Sequence, residues 1–319
     1  MRCLLLGLFV LSFSAFAQRS DNSHNFDYDP KLPLDTRDVG VDFRGPVGVY
    51  DLSYASPKGG RVPAYLVLPP GKGPFAAIIW GHWCWGNSDF RNRKEFLEEA
   101  VALAPSGVAS LLIDFPIARP GHVDDKDPLS GKQVEDLVQQ VVDIRRAADL
   151  LLSRPFVDPK RLAYVGHSCG ASAGAIVSGL DKRFRAFVLM AGVLSTEAAR
   201  KTSAFGEFRQ KLGPERVDAY VSRYSWTDDG RYIPHAAPAA LFFQYATQED
   251  FLTPELAKAT EALASEPKRI KLYDAPHALN AEARRDRVDF LVEQLQLRAP
   301  LPAIIAAIPE LPQPPQPNP

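Results

Sequence analysis

From residue 75 onward the chain alternates short, mostly apolar runs with helical patterns, and this rhythm limits its possible folds more than any other feature. Residues 75–80, 109–115, 161–165, 186–190, 239–245 and 269–273 have the length and apolar content of buried strands. Helical patterns cover 92–103, 133–152, 254–264 and 282–295. In the longest, Val134, Leu137, Val138, Val141, Val142, Ile144, Ala147 and Leu151 recur at helical spacing. Strands alternating with helices imply a mainly parallel sheet covered on both faces. Upstream, 49–55 and 61–68 are divided by Gly/Pro clusters and read as an antiparallel opening pair. The expectation is one α/β domain of about eight strands, without internal repeats.

The ends read differently. Arg2, an apolar run over 4–13 and Ala15-Phe16-Ala17 have the order of a signal peptide spanning 1–17, with export to the periplasm or the medium. The apolar run is shorter than the ~20 residues a bilayer span requires, so no stable membrane anchor is expected. A polar leader (18–40) precedes the catalytic domain (41–299), and a proline-rich, extended tail (300–319) follows it. Residues 195–227 break the rhythm with a polar helical stretch that either covers a sheet edge or serves as a lid. A composition of 46% hydrophobic and 24% charged residues is that of a globular protein, and a net charge of -1 gives no electrostatic reason to expect nucleic acid as partner.

The chemistry centres on Gly166-His167-Ser168-Cys169-Gly170, which follows an apolar run and precedes a small-residue helical stretch. A serine on a sharp strand-to-helix turn is strained, and the flanking glycines prevent clashes. The helix N-terminus behind it favours developing negative charge. Serine needs a base, and the base needs an orienting acid; behind such an elbow the chain order is serine, acid, histidine. Of six histidines, His277 alone follows the last strand-like run, and it is the expected base. Asp250, in the loop after 239–245, is the expected acid, with Glu249 as its rival. The oxyanion requires two backbone donors. Cys169 is one; Trp83 or Cys84, in the loop after 75–80, is the other. Trp83 and Trp85 are also candidates to wall a substrate pocket, whereas Trp80 reads as core.

Gly81-His82 after a strand, the elbow at Ser168, Asp250 and His277 together resemble the dienelactone-hydrolase and acetyl-xylan-esterase branch of the α/β-hydrolase superfamily, over roughly residues 50–297. The resemblance implies an α/β-hydrolase fold with an eight-stranded sheet, a Ser168-Asp250-His277 triad, and cleavage of a small or carbohydrate-borne ester through an acyl-enzyme. The chain departs from that branch in having serine where true dienelactone hydrolases have cysteine, and bulky Trp83 where glycine is common.

No dinucleotide, phosphate-loop, HExxH or CxxC pattern is present, so no cofactor and no metal are expected. His122 to Asp127 reads as a solvated acidic loop rather than a cation site. An oligopeptidase-type enzyme would use the same triad, and a binding protein on a hydrolase scaffold would not need it. One more expectation is geometric. Two oxyanion donors about 3 Å from one oxygen are at most roughly 6 Å apart, which brings Cys84 and Cys169 within disulfide range if Cys84 or its neighbour donates.

Overall fold

The computed structural model describes residues 22–86, 88–249 and 252–312; the expected signal peptide and Asp250 both lie outside the described residues. Among the described residues nine strands form one sheet: β1 (Arg37–Arg44), β2 (Val47–Ala55), β3 (Arg61–Leu68), β4 (Phe75–Gly81), β5 (Val108–Ile113), β6 (Val157–His167), β7 (Ala186–Met190), β8 (Ala240–Ala246) and β9 (Lys268–Tyr273). Their spatial order is β1-β2-β3-β5-β4-β6-β7-β8-β9. β1, β2, β3 and β5 pair antiparallel in succession, and β5-β4-β6-β7-β8-β9 pair parallel.

The helices are α1 (Leu97–Leu103), α2 (Lys132–Leu152), α3 (Cys169–Leu180), α4 (Thr196–Ala199), α5 (Ser203–Leu212), α6 (Pro214–Tyr224), α7 (Pro254–Glu261), α8 (Ala281–Leu295) and α9 (Pro302–Ala306). Side chains alternate across the sheet as the pleat requires. Ala77, Ile79, Leu162 and Tyr164 join one core with Val141 and Ile144 of α2 and Ala175 of α3. Ile78, Trp80, Ala163 and Val165 join the other, with Leu97 of α1 and Phe290 and Leu291 of α8. The central strands are buried on both faces, which is why they read as continuous apolar runs.

The sheet has one strand more than expected. The additional strand, β1, is an edge strand with seven of its eight residues exposed. Val39, Val41 and Phe43 alternate along it as in a strand, but all three are exposed, and the stretch begins inside the segment read as a polar leader. The polar leader also packs on the body: Phe26 is fully buried, its ring 5.4 Å from Trp226 and 5.9 Å from Tyr232. In the proline-rich tail, α9 buries Ile305 in the core on the α8 face. The polar stretch after β7 becomes α4 to α6, of which α5 buries no side chain and α6 only Val217.

Candidate active site

The elbow forms where β6 ends and α3 begins. Ser168 has φ 55° and ψ -120°, a backbone region that a residue with a Cβ rarely adopts. Its N–H donates to Met190 O (2.8 Å), and its carbonyl accepts from Ala171 N and Ser172 N (2.9 and 3.1 Å), so the strained residue is held from both sides. Space explains the glycines. A Cβ at Gly166 would lie 2.4 Å from Gly170 O, and one at Gly170 would lie 2.5 Å from Gly81 O. Gly192, just after β7, is a third requirement that the motif does not contain: a Cβ there would lie 2.0 Å from Ser168 O.

His277 follows β9 and is buried. Its ring centroid lies 5.0 Å from that of His167, the neighbour of Ser168, and 4.7 Å from that of Trp85. The carboxylate in contact with its Nδ1 is Glu249, whose Oε1 is within hydrogen-bond reach. Glu249 is thus the acid that the structure brings to His277, while the expected Asp250 lies outside the described residues. Burial pulls the imidazole below its ordinary value; the bond to Glu249 opposes this, and the positive charge that His167 would carry reinforces it.

The loop after β4 corrects the expectation for Trp83. Its backbone N–H donates to Glu95 Oε2 at 2.6 Å and is committed within the protein. Its side chain is fully buried, 5.1 Å from the His167 ring, so it walls no pocket. Trp85 is half-buried against His277 and can still do so. His82 holds the loop to the end of β5: Nδ1 lies 2.6 Å from Trp83 O, and Nε2 accepts from Phe115 N at 2.9 Å. Burial lowers this histidine to about 3, so it is neutral and its single proton points at the carbonyl.

Cys84 and Cys169 form a disulfide with a Cα–Cα distance of 5.7 Å, as the donor geometry led one to expect. The bond ties the loop after β4 to the first residue of α3.

A cavity of about 500 Å³ opens beside this disulfide, with Ser172 on its near wall and Arg91, His122 and Asp136 among its lining. Arg91 makes two bonds to Asp124 (2.5 and 3.0 Å), and His122 Nε2 lies 2.9 Å from Asp136 Oδ2. The loop read as a solvated acidic segment therefore contributes a charged wall to this cavity. Ser172, one turn after Ser168, sits 2.7 Å from Asp229 Oδ1. Burial pushes the Asp229 carboxyl well above its ordinary value, against the hydrogen bonds from Ser172 and the Leu194 N–H. Among the described residues no group of three or more metal-ligating side chains could hold an ion.

Residues 135–278 match the prolyl oligopeptidase family, a stretch that contains Ser168, Glu249 and His277. The polyketide transferase ATR5 of Stachybotrys chlorohalonatus is 25% identical over 307 residues, which cover 80% of this chain and 95% of that protein. Among solved structures, an acetyl xylan esterase from Paenibacillus sp. R4 superposes with a TM-score of 0.67 at 20% identity, over 86% of this chain and all of the other. Acetyl xylan esterase 1 from Thermoanaerobacterium sp. JW/SL YS485 also gives 0.67, at 17% identity, over 85% of this chain and 91% of the other. The chain has the α/β-hydrolase fold.

Proposed function

We propose that the chain is an exported serine hydrolase that cleaves carboxylic esters through an acyl-enzyme on Ser168. The observation that carries this reading is the strained Ser168 turn, φ 55°, beside a buried His277 whose Nδ1 contacts the Glu249 carboxylate. In this reading His277 Nε2 removes the Ser168 Oγ proton as Oγ bonds to the carbonyl carbon, and the carbonyl electrons move onto oxygen. Cys169 N–H, at the start of α3, and Cys84 N–H stabilise that oxyanion. The tetrahedral species collapses, and His277 returns the proton to the departing alcohol. Water then repeats the sequence on the acyl-enzyme. Glu249 holds the ring and offsets its positive charge, taking the orienting role expected of Asp250.

The charged wall of Arg91, His122 and Asp136 favours a polar, hydroxyl-bearing alcohol over a long alkyl chain. An ester on a sugar fits that wall. Turnover measured on p-nitrophenyl esters of rising chain length, acetylated sugars and a prolyl peptide amide tests the reading. Acetyl esters, sugar-borne ones included, should lead. Faster cleavage of the peptide amide would instead favour a peptidase, a reading that the match to the prolyl oligopeptidase family supports.

A further inference from the structure

Behind His277 lies a second carboxylate–imidazole pair for which the proposed chemistry has no use. Glu95, two residues before α1, has no exposed side-chain surface, and neither has His167. His167 Nδ1 is 2.6 Å from Glu95 Oε1, and His167 Nε2 is 2.9 Å from the backbone carbonyl of His277. The other carboxyl oxygen, Oε2, accepts the Trp83 N–H at 2.6 Å. One buried acid thus reaches the oxyanion loop directly and the general-base loop through a single imidazole.

The partners fix the protons. A carbonyl only accepts, so His167 Nε2 carries a hydrogen and donates to His277 O. Trp83 N–H only donates, so Oε2 accepts. One hydrogen therefore lies between Oε1 and Nδ1, and it belongs either to a carboxylic acid facing a neutral imidazole or to an imidazolium facing a carboxylate. The ion pair would put positive charge on a ring stacked 5.0 Å from His277, opposing the charge that His277 itself must take up. The Trp83 N–H, His277 and Arg287 favour the ionised form of Glu95, whereas burial above all, and then Glu99, oppose it. Arg287 of α8 is already paired with Glu99 of α1, whose own charge opposes a second carboxylate, and a charge on His277 is offset by Glu249. Burial acts in the same sense on both members, pushing the Glu95 carboxyl well up and pulling His167 down to about 4.

We propose that Glu95 and His167 form a positioning dyad, held as a carboxylic acid and a neutral imidazole, that fixes the backbones of Trp83 and His277 and so aligns the oxyanion loop with the base. The inference rests on the reading of His277 as base. Neither residue touches substrate; both act through the loops they hold.

The test compares Glu95→Gln with Glu95→Ala. A glutamine reproduces the hydrogen pattern of the acid, accepting from Trp83 N and donating to His167 Nδ1, but it cannot replace a carboxylate paired with an imidazolium. The activity readout is the rate at which a fluorophosphonate labels Ser168, which requires no ester substrate. Glu95→Ala should slow labelling by about 10- to 100-fold, the usual scale for removing a supporting partner, with the acid limb of the pH profile displaced. Glu95→Gln should rescue most of that loss and keep the limb in place. The difference infrared spectrum, wild type minus Glu95→Gln, should contain the C=O band of a protonated carboxyl at neutral pH. Equal impairment of the two variants, no impairment of either, or only carboxylate bands would overturn the dyad. If Glu95→Ala does not fold, the Glu95→Gln labelling rate and the infrared band decide alone. Failure of the wild type to label would instead remove the serine-hydrolase reading, and the infrared spectrum would still report on the dyad.

Discussion

Among the described residues two buried glutamate–histidine pairs lie a few ångströms apart, and their ring nitrogens are committed differently. In Glu249–His277 the acid meets Nδ1, and the ring is proposed to serve Ser168 through Nε2. In Glu95–His167 both ring nitrogens are committed to protein atoms, Nδ1 to the acid and Nε2 to the His277 carbonyl. Burial lowers both imidazoles, His167 to about 4. What separates a base from a brace is therefore not the residue types or their burial but where the second nitrogen points. In the proposed reading the first pair exchanges a proton with Ser168, whereas the second, with both ring nitrogens committed, can only hold two loops in register.

Breaking the first pair should have the largest effect. His277→Ala should lower turnover by about 10⁴- to 10⁶-fold, and combining it with Ser168→Ala should add little, because the residues act as one unit. Glu249→Gln should cost about 10²- to 10⁴-fold by spoiling the tautomer and the charge balance of the ring. Asp250→Asn should cost far less. Steady-state kinetics on one good ester would rank the three, and a ranking with Asp250→Asn above Glu249→Gln would restore Asp250 as the acid.

The disulfide comes next. Reducing it, or making Cys84→Ala with Cys169→Ala, frees the oxyanion loop from α3 while leaving both backbone donors in the chain. The loss in kcat should stay below the about 100-fold that losing a donor outright costs. Thiol counting on denatured, unreduced protein checks the bond itself, and free thiols at both Cys84 and Cys169 would exclude it.

The smallest effect is one of pH. Because burial lowers His277, the ring is neutral, and competent as a base, to lower pH than a free histidine. The acid limb of kcat/KM should therefore have its midpoint below the ordinary value of about 6.5. A midpoint at or above that value would mean that the bond to Glu249 outweighs burial.

How much of this the sequence disclosed depends on whether a residue's role is local. Ser168 was legible because a strained turn demands small neighbours within a few positions, and Gly166 and Gly170 supply them. The central strands were legible because burial on both faces makes them uniformly apolar. The order of residues along the chain singled out His277, but Glu249 and Asp250 are adjacent, and which of the two faces the ring is set by a loop conformation that residue types do not encode. Glu95 carried no signal at all. It lies 72 positions from His167, inside a charged stretch that reads as a solvated helix start, and only the fold brings the two together. Trp83 misled because its size suggested a pocket wall, whereas the site uses it as buried packing behind His167.

The proposed mechanism requires Ser168 to form a covalent bond during turnover, and mass spectrometry of protein quenched during reaction with p-nitrophenyl acetate tests this directly. The expected result is one acetyl group on the peptide containing Ser168, present in the wild type and absent in His277→Ala. An unmodified Ser168 peptide under rapid turnover, or an acetyl group equally present without His277, would contradict it.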